Sequence, residues 1–353
     1  MPSPPEKRPA LSGIPPEELA ELLRPLPAYR ARQIFKWIAG GASSFHRMRN
    51  LPLVLRAELE SRFTVYCSAV TERLEDRDGT IKIRAALYDD QRIEAVLLSD
   101  GEGRRTACLS TQAGCPAGCV FCKTGSLGFS RNLDAAEMVE QFFFLKSLGY
   151  KISNIVVMGM GEPLLNLAEL RKALSVLCHP EGLGLSPRRI TVSTCGIAEG
   201  IRDLADAGPP VRLALSLTAA DQGLRERLMP IAAANPLPRL RESLRYFQEK
   251  GGGRVTLEAV LLSGINTRRR DARALADFAG GLDTVVNLIP WNPLEGFSFE
   301  GKALREPTAG EIENFETWLT AERLTVTRRG RKGRGVLGAC GQLGEIRPSA
   351  PRT

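Results

Sequence analysis

Histidine is nearly absent from this 353-residue chain, which contains only His46 and His179. Two isolated imidazoles leave little room for His-based catalysis or for a His-rich metal site. The sequence also lacks any run of 18 apolar residues, so no membrane-spanning helix is expected. Its Pro-rich, charged start, MPSPPEKRPALSG, has no apolar segment of the kind that a secretory signal needs. We therefore expect a cytoplasmic protein that does not contact a membrane.

Basic residues outnumber acidic ones, and the formal net charge is +8. The seven-residue segment 328–334, RRGRKGR, is the densest basic run. A basic segment interleaved with Gly can follow a phosphate backbone, and a solvated loop is the alternative. We predict nucleic-acid contact through Arg328, Arg329, Arg331, Lys332 and Arg334.

Eight cysteines are spread unevenly, and three of them form a C-x3-C-x2-C pattern in GCPAGCVFC, residues 114–122. Without an export signal, clustered cysteines indicate a metal site or catalysis rather than disulfides. Thiolates bind zinc or iron–sulfur clusters, and a [4Fe–4S] cluster normally takes four of them. Ligation by Cys115, Cys119 and Cys122 alone would leave one iron open to a substrate or cofactor. A zinc site, with Cys108 as its fourth ligand, is the alternative.

The order of helical and strand-like segments changes near residue 100. Before it, three helical segments precede three strand-like segments, and the turn RDG at 77–79 favours a hairpin. After it, strand-like and helical segments alternate, which indicates parallel strands in an open sheet or a barrel. We expect a tail over 1–13, an accessory α+β domain that contacts RNA over 14–100, a catalytic α/β domain over 101–344 and a second tail over 345–353.

Six apolar strand-like segments define the catalytic part. They are 107–112, 154–160, 189–195, 212–218, 255–262 and 285–291. Conspicuous polar and glycine residues stand at their C-terminal ends, where α/β folds place active sites.

Five further segments carry a family resemblance: CLSTQAGC (108–115), GMGEPLLN (159–166), ALSL (214–217), NLIPWNP (287–293) and ACGQL (339–343). Together with the three-cysteine motif after the first strand, they resemble the RlmN/Cfr family of the radical S-adenosylmethionine (SAM) superfamily. The resemblance implies an α/β fold with a partial (β/α)6 barrel and a small N-terminal α+β domain. It also implies one [4Fe–4S] cluster on the three cysteines, two SAM molecules per turnover and methylation of an adenine carbon in RNA.

The resemblance assigns SAM binding to residues at strand ends. In GMGEP, the glycines let the backbone approach a ligand and Glu162 can accept from the SAM ammonium, although a plain strand-end turn would look the same. Ser193 and Ser216 offer hydroxyls to a carboxylate or ribose, or are buried capping residues. Asn292 is assigned to the cofactor and could also read an adenine edge. The implied set is Gly161, Glu162, Ser193, Ser216, Leu217, Thr218 and Asn292.

Three residues carry the implied methyl transfer. Cys340 accepts a methyl group from the first SAM, and a deoxyadenosyl radical from the second SAM removes hydrogen from it. The carbon radical then adds to carbon 2 of adenine, which is too poor a nucleophile for polar methylation. Glu94 is the implied proton acceptor, or a surface strand residue, and Cys108 resolves the adduct through a transient disulfide with Cys340. We interpret the remaining thiols as small apolar residues: Cys67, Cys178 and Cys195.

Two positions depart from the family pattern. Thr218 stands where His is usual, and GRGVLG before ACGQL lacks the usual acidic residues. Both leave open which RNA and which adenine carbon is methylated. The expected function is methylation of carbon 2 of an adenine in large-subunit rRNA, with tRNA as a further target. The alternatives are carbon-8 methylation that confers antibiotic resistance and a zinc-dependent RNA-binding protein without catalysis. We expect a monomer that needs an external one-electron reductant.

Overall fold

The structure is a computed structural model that describes residues 8–328, 330 and 332–344. Its strands are β1 (Ala69–Glu75), β2 (Ile81–Ala86), β3 (Arg92–Ser99), β4 (Arg105–Cys108), β5 (Gln112–Gly114), β6 (Phe129–Asn132), β7 (Ile152–Val157), β8 (Ile190–Thr194), β9 (Arg212–Ser216), β10 (Val255–Leu261), β11 (Thr284–Pro290), β12 (Ser298–Phe299), β13 (Lys302–Ala303) and β14 (Val326–Arg328). Its α-helices are α1 (Pro16–Leu22), α2 (Ala28–Ala39), α3 (Leu53–Arg62), α4 (Lys123–Ser126), α5 (Ala135–Lys146), α6 (Leu167–Cys178), α7 (Ala198–Ala207), α8 (Gln222–Leu228), α9 (Leu237–Phe247), α10 (Arg269–Ala279) and α11 (Ala309–Ala321).

A ten-stranded sheet has the order β1-β2-β3-β4-β7-β8-β9-β10-β11-β14. From β4 onward, every neighbouring pair is parallel. The parallel strands are largely apolar, as in VTLEAVL of β10, because parallel strands are buried on both faces. The two end strands, β1 and β14, do not pair with each other within the described residues. The predicted α/β fold with a partial (β/α)6 barrel is therefore confirmed.

The first three strands extend this sheet in antiparallel fashion through the pairing of β3 with β4. The predicted hairpin is confirmed: the Asp76 amide donates to the Thr80 carbonyl at 2.8 Å, and Gly79 supplies the positive φ of 78° that the turn requires. The strands of the accessory part therefore do not form a separate sheet. The domain boundaries themselves stay predictions.

The expected N-terminal tail is wrong for its described part, residues 8–13. Leu11 is only 1% exposed, and its amide donates to the Thr64 carbonyl at 3.0 Å. The Ser12 hydroxyl donates to Glu140 on α5 at 2.7 Å. A buried leucine and a buried hydrogen bond hold this segment in place because leaving either group exposed or unpaired would cost free energy. Residues 1–7 and 345–353, which complete the two predicted tails, lie outside the described residues.

Helix α5 links the accessory part to the sheet. It begins with a capping box in which Asp134 accepts from the Glu137 amide and Glu137 accepts from the Asp134 amide. Apolar residues occur on most of its faces and are buried, because the N-terminal segments cover its outer side. Lys146 at its end donates to the Ala39 carbonyl at 2.8 Å. None of the helices in the described residues has the length and apolar character that a membrane crossing requires.

Candidate active site

A cavity, here called the cluster cavity, opens beyond the C-terminal ends of the parallel strands. Its wall contains most of the residues that the sequence indicated: Cys115, Cys119, Cys122, Gly161, Glu162, Ser193, Ser216, Asn292 and Cys340. They come from the ends of β7, β8, β9 and β11 and from the segments after β5 and β14. The fold thus gathers residues that are far apart in the sequence at the edge of the sheet where α/β enzymes bind their ligands.

The three motif cysteines lie on one loop, residues 115–122, here called the thiol loop. The loop follows Gly114, whose φ of +80° and close packing exclude a side chain: a Cβ there would lie 2.0 Å from a facing carbonyl oxygen. The Val120 amide donates to the Leu228 carbonyl at 3.0 Å. The Trp291 indole donates to the Phe121 carbonyl at 2.9 Å. These bonds fix the loop backbone and hold its thiols toward the cavity.

Burial dominates the acidity of these thiols. It raises the pKa of Cys115 to about 12 and also raises the pKa values of Cys119 and Cys122. A thiol with a raised pKa is a weak nucleophile, so the loop is poorly suited to general covalent catalysis. A bound metal deprotonates its thiol ligands outright, which makes metal binding the chemistry that this arrangement favours.

The spacing of the three thiols bears on which metal they fit. Two thiolates around one tetrahedral zinc stand about 3.8 Å apart, given a Zn–S distance of about 2.3 Å. Across the described chain, the only three His, Cys, Asp or Glu side chains with all ligand atoms within 4.8 Å of one another are Cys67, Asp134 and Glu137. The three motif thiols are thus not all within 4.8 Å of one another, a spacing that agrees with thiolates that bind different irons of one cluster. The residues fit a [4Fe–4S] cluster.

Cys340 lies between two cavities. It lines the cluster cavity and also a smaller neighbouring cavity, here called the Cys108 cavity, whose wall includes Cys108, Met158 and Lys332. This position gives the Cys340 thiol access to both predicted partners, the cluster side and the Cys108 side. Cys108 lines only the second of these cavities.

No disulfide joins any two of the eight cysteines. The transient disulfide predicted between Cys108 and Cys340 is therefore not formed in this structure, and its formation during turnover stays a prediction. The physical reason is that an S–S bond needs sulfur atoms about 2 Å apart, whereas these two thiols line a common cavity without bonding across it.

The segment that carries Cys340 is anchored through its backbone. Asn292 donates to the Cys340 carbonyl at 3.1 Å. The Lys123 amide donates to the Gly341 carbonyl at 2.8 Å, and the Thr124 hydroxyl donates to the Leu343 carbonyl at 2.7 Å. Because Lys123 and Thr124 directly follow Cys122, the Cys340 segment and the thiol loop are fixed against each other.

Glu94 is buried rather than a surface strand residue, with 2% of its area exposed. One carboxylate oxygen pairs with Lys82 at 3.1 Å and Arg84 at 3.2 Å. The other accepts from the Gly344 amide at 2.8 Å, four residues beyond Cys340. Glu94 is absent from the walls of both cavities, so in this structure it anchors the Cys340 segment, and its role as a proton acceptor stays a prediction.

Comparisons with known proteins agree with this geometry. Residues 109–277 match the model of the radical SAM superfamily, and residues 11–65 match the N-terminal domain of ribosomal RNA large subunit methyltransferase. A probable dual-specificity RNA methyltransferase RlmN from Treponema pallidum is 48% identical over 95% of this chain and 97% of its own length. The chain belongs to the RlmN family. A relative of the same name from Thermus thermophilus is 42% identical over 93% of this chain and 91% of its own length.

A solved structure supports the RlmN fold over nearly the whole chain. The crystal structure of a radical SAM methyltransferase from Sphaerobacter thermophilus superposes with a TM-score of 0.89 at 38% identity. The match covers 95% of this chain and 99% of that chain. The chain is thus a SAM-dependent methyltransferase of the RlmN family, and the predicted family, enzyme class and fold are confirmed.

Two residues implied by the RlmN pattern do not line the cluster cavity. Leu217 is fully buried in the hydrophobic core. Thr218, at the position of the usual His, has a φ of 57°, and its buried hydroxyl has no hydrogen-bond partner among the described residues. Their assignment to SAM therefore stays a prediction.

Two wall residues of the cluster cavity were missed. Glu258 on β10 is buried, and its carboxylate accepts from the Ser193 hydroxyl at 3.2 Å. Cys195, expected to be a plain apolar residue, also lines the cavity, and its amide donates to Glu162 at 2.7 Å. A glutamate inside the apolar strand VTLEAVL was a usable signal, because unpaired charges avoid buried strands. Nothing in the sequence around Cys195 distinguished it from a core thiol.

Glu162 uses both carboxylate oxygens within the protein. One accepts from the Leu164 amide at 3.0 Å and the other from the Cys195 amide. Burial raises the pKa of Glu162. Each carboxylate oxygen can accept a second hydrogen bond, so a ligand ammonium would find a preoriented acceptor at the cavity wall.

The basic segment 328–334 runs close to the Cys108 cavity. Lys332 lines that cavity, Arg328 is exposed on β14, and Arg334 pairs with Glu306 at 3.6 Å. The Gly333 and Gly335 amides donate to Asp78 and Asp76 of the β1–β2 turn, each at 2.8 Å. The segment is thus tethered by its backbone while described basic side chains remain partly exposed. Arg329 and Arg331 lie outside the described residues.

Proposed function

We propose that this chain methylates carbon 2 of an adenine in large-subunit rRNA, and of an adenine in tRNA, through a methyl group carried on Cys340. The relatives' name, dual-specificity RNA methyltransferase, supports RNA as the substrate, and the N-terminal match supports rRNA. The observation that carries the proposal is the position of Cys340 between the cluster cavity and the Cys108 cavity. A methyl carrier must face both the groups that activate it and the thiol that releases its product.

Cofactor binding is assigned to the walls of the cluster cavity. Cys115, Cys119 and Cys122 would hold a [4Fe–4S] cluster, and the polar groups of Glu162, Ser193, Ser216 and Asn292 would hold SAM. When bound, the cluster and SAM supply the one-electron chemistry that removes a hydrogen atom from an unactivated methyl group. An external one-electron reductant is then required as a partner.

The remaining steps rest on residues of this chain. Asn292, Lys123 and Thr124 orient the segment that presents the Cys340 methyl group. The Cys108 thiol loses its proton and attacks the Cys340 sulfur through the cavity that the two residues share. The disulfide forms as the bond between that sulfur and the methylene carbon on adenine breaks, and this carbon keeps the electron pair and takes up a proton to become the methyl group. Glu94, which pairs with the buried Lys82 and with Arg84, accepts the proton from the adenine carbon. An adenine must leave its stack to reach Cys340.

The two alternatives differ in the support they have. The match to the radical SAM superfamily favours a cluster on the thiol loop over a zinc-dependent binding protein without catalysis. Methylation at carbon 8 uses the same residues, so it is an outcome of the test rather than a second proposal.

The test is anaerobic turnover followed by nucleoside analysis. Reconstituted protein is incubated with SAM bearing a deuterated methyl group, a reductant, and either a large-subunit rRNA fragment or tRNA. We expect digestion and mass spectrometry to give 2-methyladenosine, and we expect none with Cys340→Ala. Elution as 8-methyladenosine would overturn the carbon assignment, and wild-type levels of product from Cys340→Ala would overturn the role of Cys340.

A further inference from the structure

Arg225 on α8 is a buried cation that the functional assignments leave unexplained. Its side chain has no exposed area. One terminal nitrogen donates to the Ser216 carbonyl at 3.1 Å and to the Leu217 carbonyl, and the other donates to the Cys195 carbonyl at 2.6 Å. Its Nε has no partner among the described residues. The same terminal nitrogen that binds Ser216 and Leu217 also donates to Met229 Sδ at 3.6 Å, so all the partners of the guanidinium are neutral.

A guanidinium in this environment lacks a counter-charge. No carboxylate takes part in the hydrogen bonds or charge interactions of Arg225 within the described chain, and burial lowers its pKa. Removing a charge from water costs free energy that neutral hydrogen bonds repay only in part. A buried arginine without an acid beside it points to an anion that completes the site.

The thiol loop is the place from which that anion would come. Two of the carbonyl groups that Arg225 binds belong to Ser216 and Cys195, and both residues line the cluster cavity beside the thiol loop. At the end of the same helix, the Leu228 carbonyl accepts from Val120, the residue after Cys119. A [4Fe–4S] unit on three thiolates carries net negative charge, and that charge grows by one unit on reduction.

We propose that Arg225 is a positioning residue for the cluster, the buried counter-charge that favours its reduced state and so makes the one-electron reduction of the enzyme easier. This inference rests on the proposed function, because it needs the cluster on the thiol loop. A fixed cation inside a low-dielectric site stabilises the more negative oxidation state, and it does so more strongly than an exposed one. Arg225 also ties the ends of β8 and β9 together through their carbonyls, which alone would be a purely structural role.

The test is the midpoint potential of the cluster in variants of the reconstituted protein. Arg225→Gln removes the charge and keeps some hydrogen bonding. Arg225→Lys keeps the charge but loses the planar guanidinium with its two terminal nitrogens. Arg227→Gln is the matched control, because Arg227 lies on the same helix but is exposed and paired with Glu300 at 2.8 Å. Titration with a low-potential reductant is followed by the loss of absorbance near 400 nm and by the electron paramagnetic resonance signal of the reduced cluster.

We expect the equilibrium constant for reduction to fall at least about tenfold in Arg225→Gln, a shift of about 59 mV to lower potential for a one-electron couple. Arg225→Lys and Arg227→Gln should stay within about twofold of the wild type. If Arg225→Gln does not fold, Arg225→Met provides a neutral side chain of similar length that suits the apolar surroundings. An unchanged potential in a folded neutral variant with full iron content would overturn the proposal, as would an equal shift in Arg225→Lys. Absence of a cluster from the wild type would instead overturn the proposed function.

Discussion

Replacement of Glu94 by Gln tests whether this carboxylate acts as an anchor, as a proton acceptor or as both. The change keeps the shape of the side chain and removes its charge. Lys82, whose side chain is 6% exposed, then loses its carboxylate partner at 3.1 Å. Arg84 keeps a second partner, Glu72 at 2.5 Å. The Gly344 amide, which anchors the segment after Cys340, keeps an acceptor only if the Gln amide oxygen faces it.

The expected loss of stability follows from the burial of the pair. Breaking a buried ion pair by removing one partner costs about 3–5 kcal/mol, because the other charge stays buried without compensation. Lys82 also donates to the Leu337 carbonyl at 3.4 Å, so the lower end, about 3 kcal/mol, is expected. In a chain of 353 residues this corresponds to a fall in Tm of about 4 °C. Glu72→Gln is the control, because Glu72 is 40% exposed and its loss should cost less than about 1 kcal/mol.

A double variant separates the two roles. Lys82→Met in the Glu94→Gln background removes the stranded charge, and we expect it to restore most of the lost Tm, since replacing both partners of a buried pair is often nearly neutral. Methylation should stay low in the double variant if Glu94 accepts the proton. Calorimetry and single-turnover product analysis measure the two effects. Recovery of full methylation would refute the proton-acceptor role, and an unchanged Tm in Glu94→Gln would refute the ion-pair reasoning.

Four further predictions use other parts of the molecule. Cys119→Ala should abolish bound iron and the absorbance near 400 nm, and full iron content by elemental analysis would contradict the assignment. Cys108→Ala should accumulate a protein–RNA adduct on denaturing gels that Cys108→Ala/Cys340→Ala lacks, and a clean gel would remove Cys108 from the mechanism. Burial raises the pKa of Glu140 to about 7, so the protonated side chain stabilises the folded state at low pH. This contribution, at most about 3 kcal/mol, should be lost as pH rises from about 4.5 through about 7. Glu140→Gln should therefore show a flatter dependence of Tm on pH than the wild type, and parallel curves would refute the raised pKa. The double variant Arg328→Ala/Arg334→Ala should lower the slope of log K for RNA binding against log salt concentration by about 1.4–1.8 units, without changing SAM cleavage in the absence of RNA. The control Arg239→Ala, at an exposed position, should leave this slope unchanged. An equal slope in the wild type, the double variant and the control would mean that the basic segment does not bind phosphates.

Strand positions in the catalytic part could be predicted because their signal is local. The segment 212–218 contains β9 at 212–216, and 255–262 contains β10 at 255–261. Buried parallel strands are continuous apolar runs, and such runs are visible without any knowledge of their neighbours. The joining of β3 to β4 was not visible, because strand patterns do not record which strand lies alongside. The burial of Leu11 was missed for a similar reason, because its segment has no hydrophobic periodicity that would indicate a buried face.

The residues of the site also fall into those that have a local signal in the sequence and those that have none. Motif residues such as Cys115 and Cys340 were found because short segments resemble a family, and the cavity wall brings those segments together. Arg225 lies in QGLRERL, and nothing in this segment distinguishes it from Arg227. Only the fold shows that Arg225 is fully buried whereas Arg227 is exposed and ion-paired. Burial of a charge is a property of tertiary structure, so residues whose function depends on burial cannot be identified from the sequence alone.

The contacts of the Cys340 segment explain why the antiparallel strands extend the catalytic sheet. On one side, Lys123 and Thr124 fix the segment to the thiol loop. On the other side, the β1–β2 turn accepts from the Gly333 and Gly335 amides, and Glu94 on β3 accepts from the Gly344 amide. The Cys340 segment is thus held between the accessory strands and the thiol loop, and each contact removes freedom that would otherwise spread its thiol over many positions. The strands before residue 100 therefore help to position the Cys340 segment, although Glu94 itself lines neither cavity.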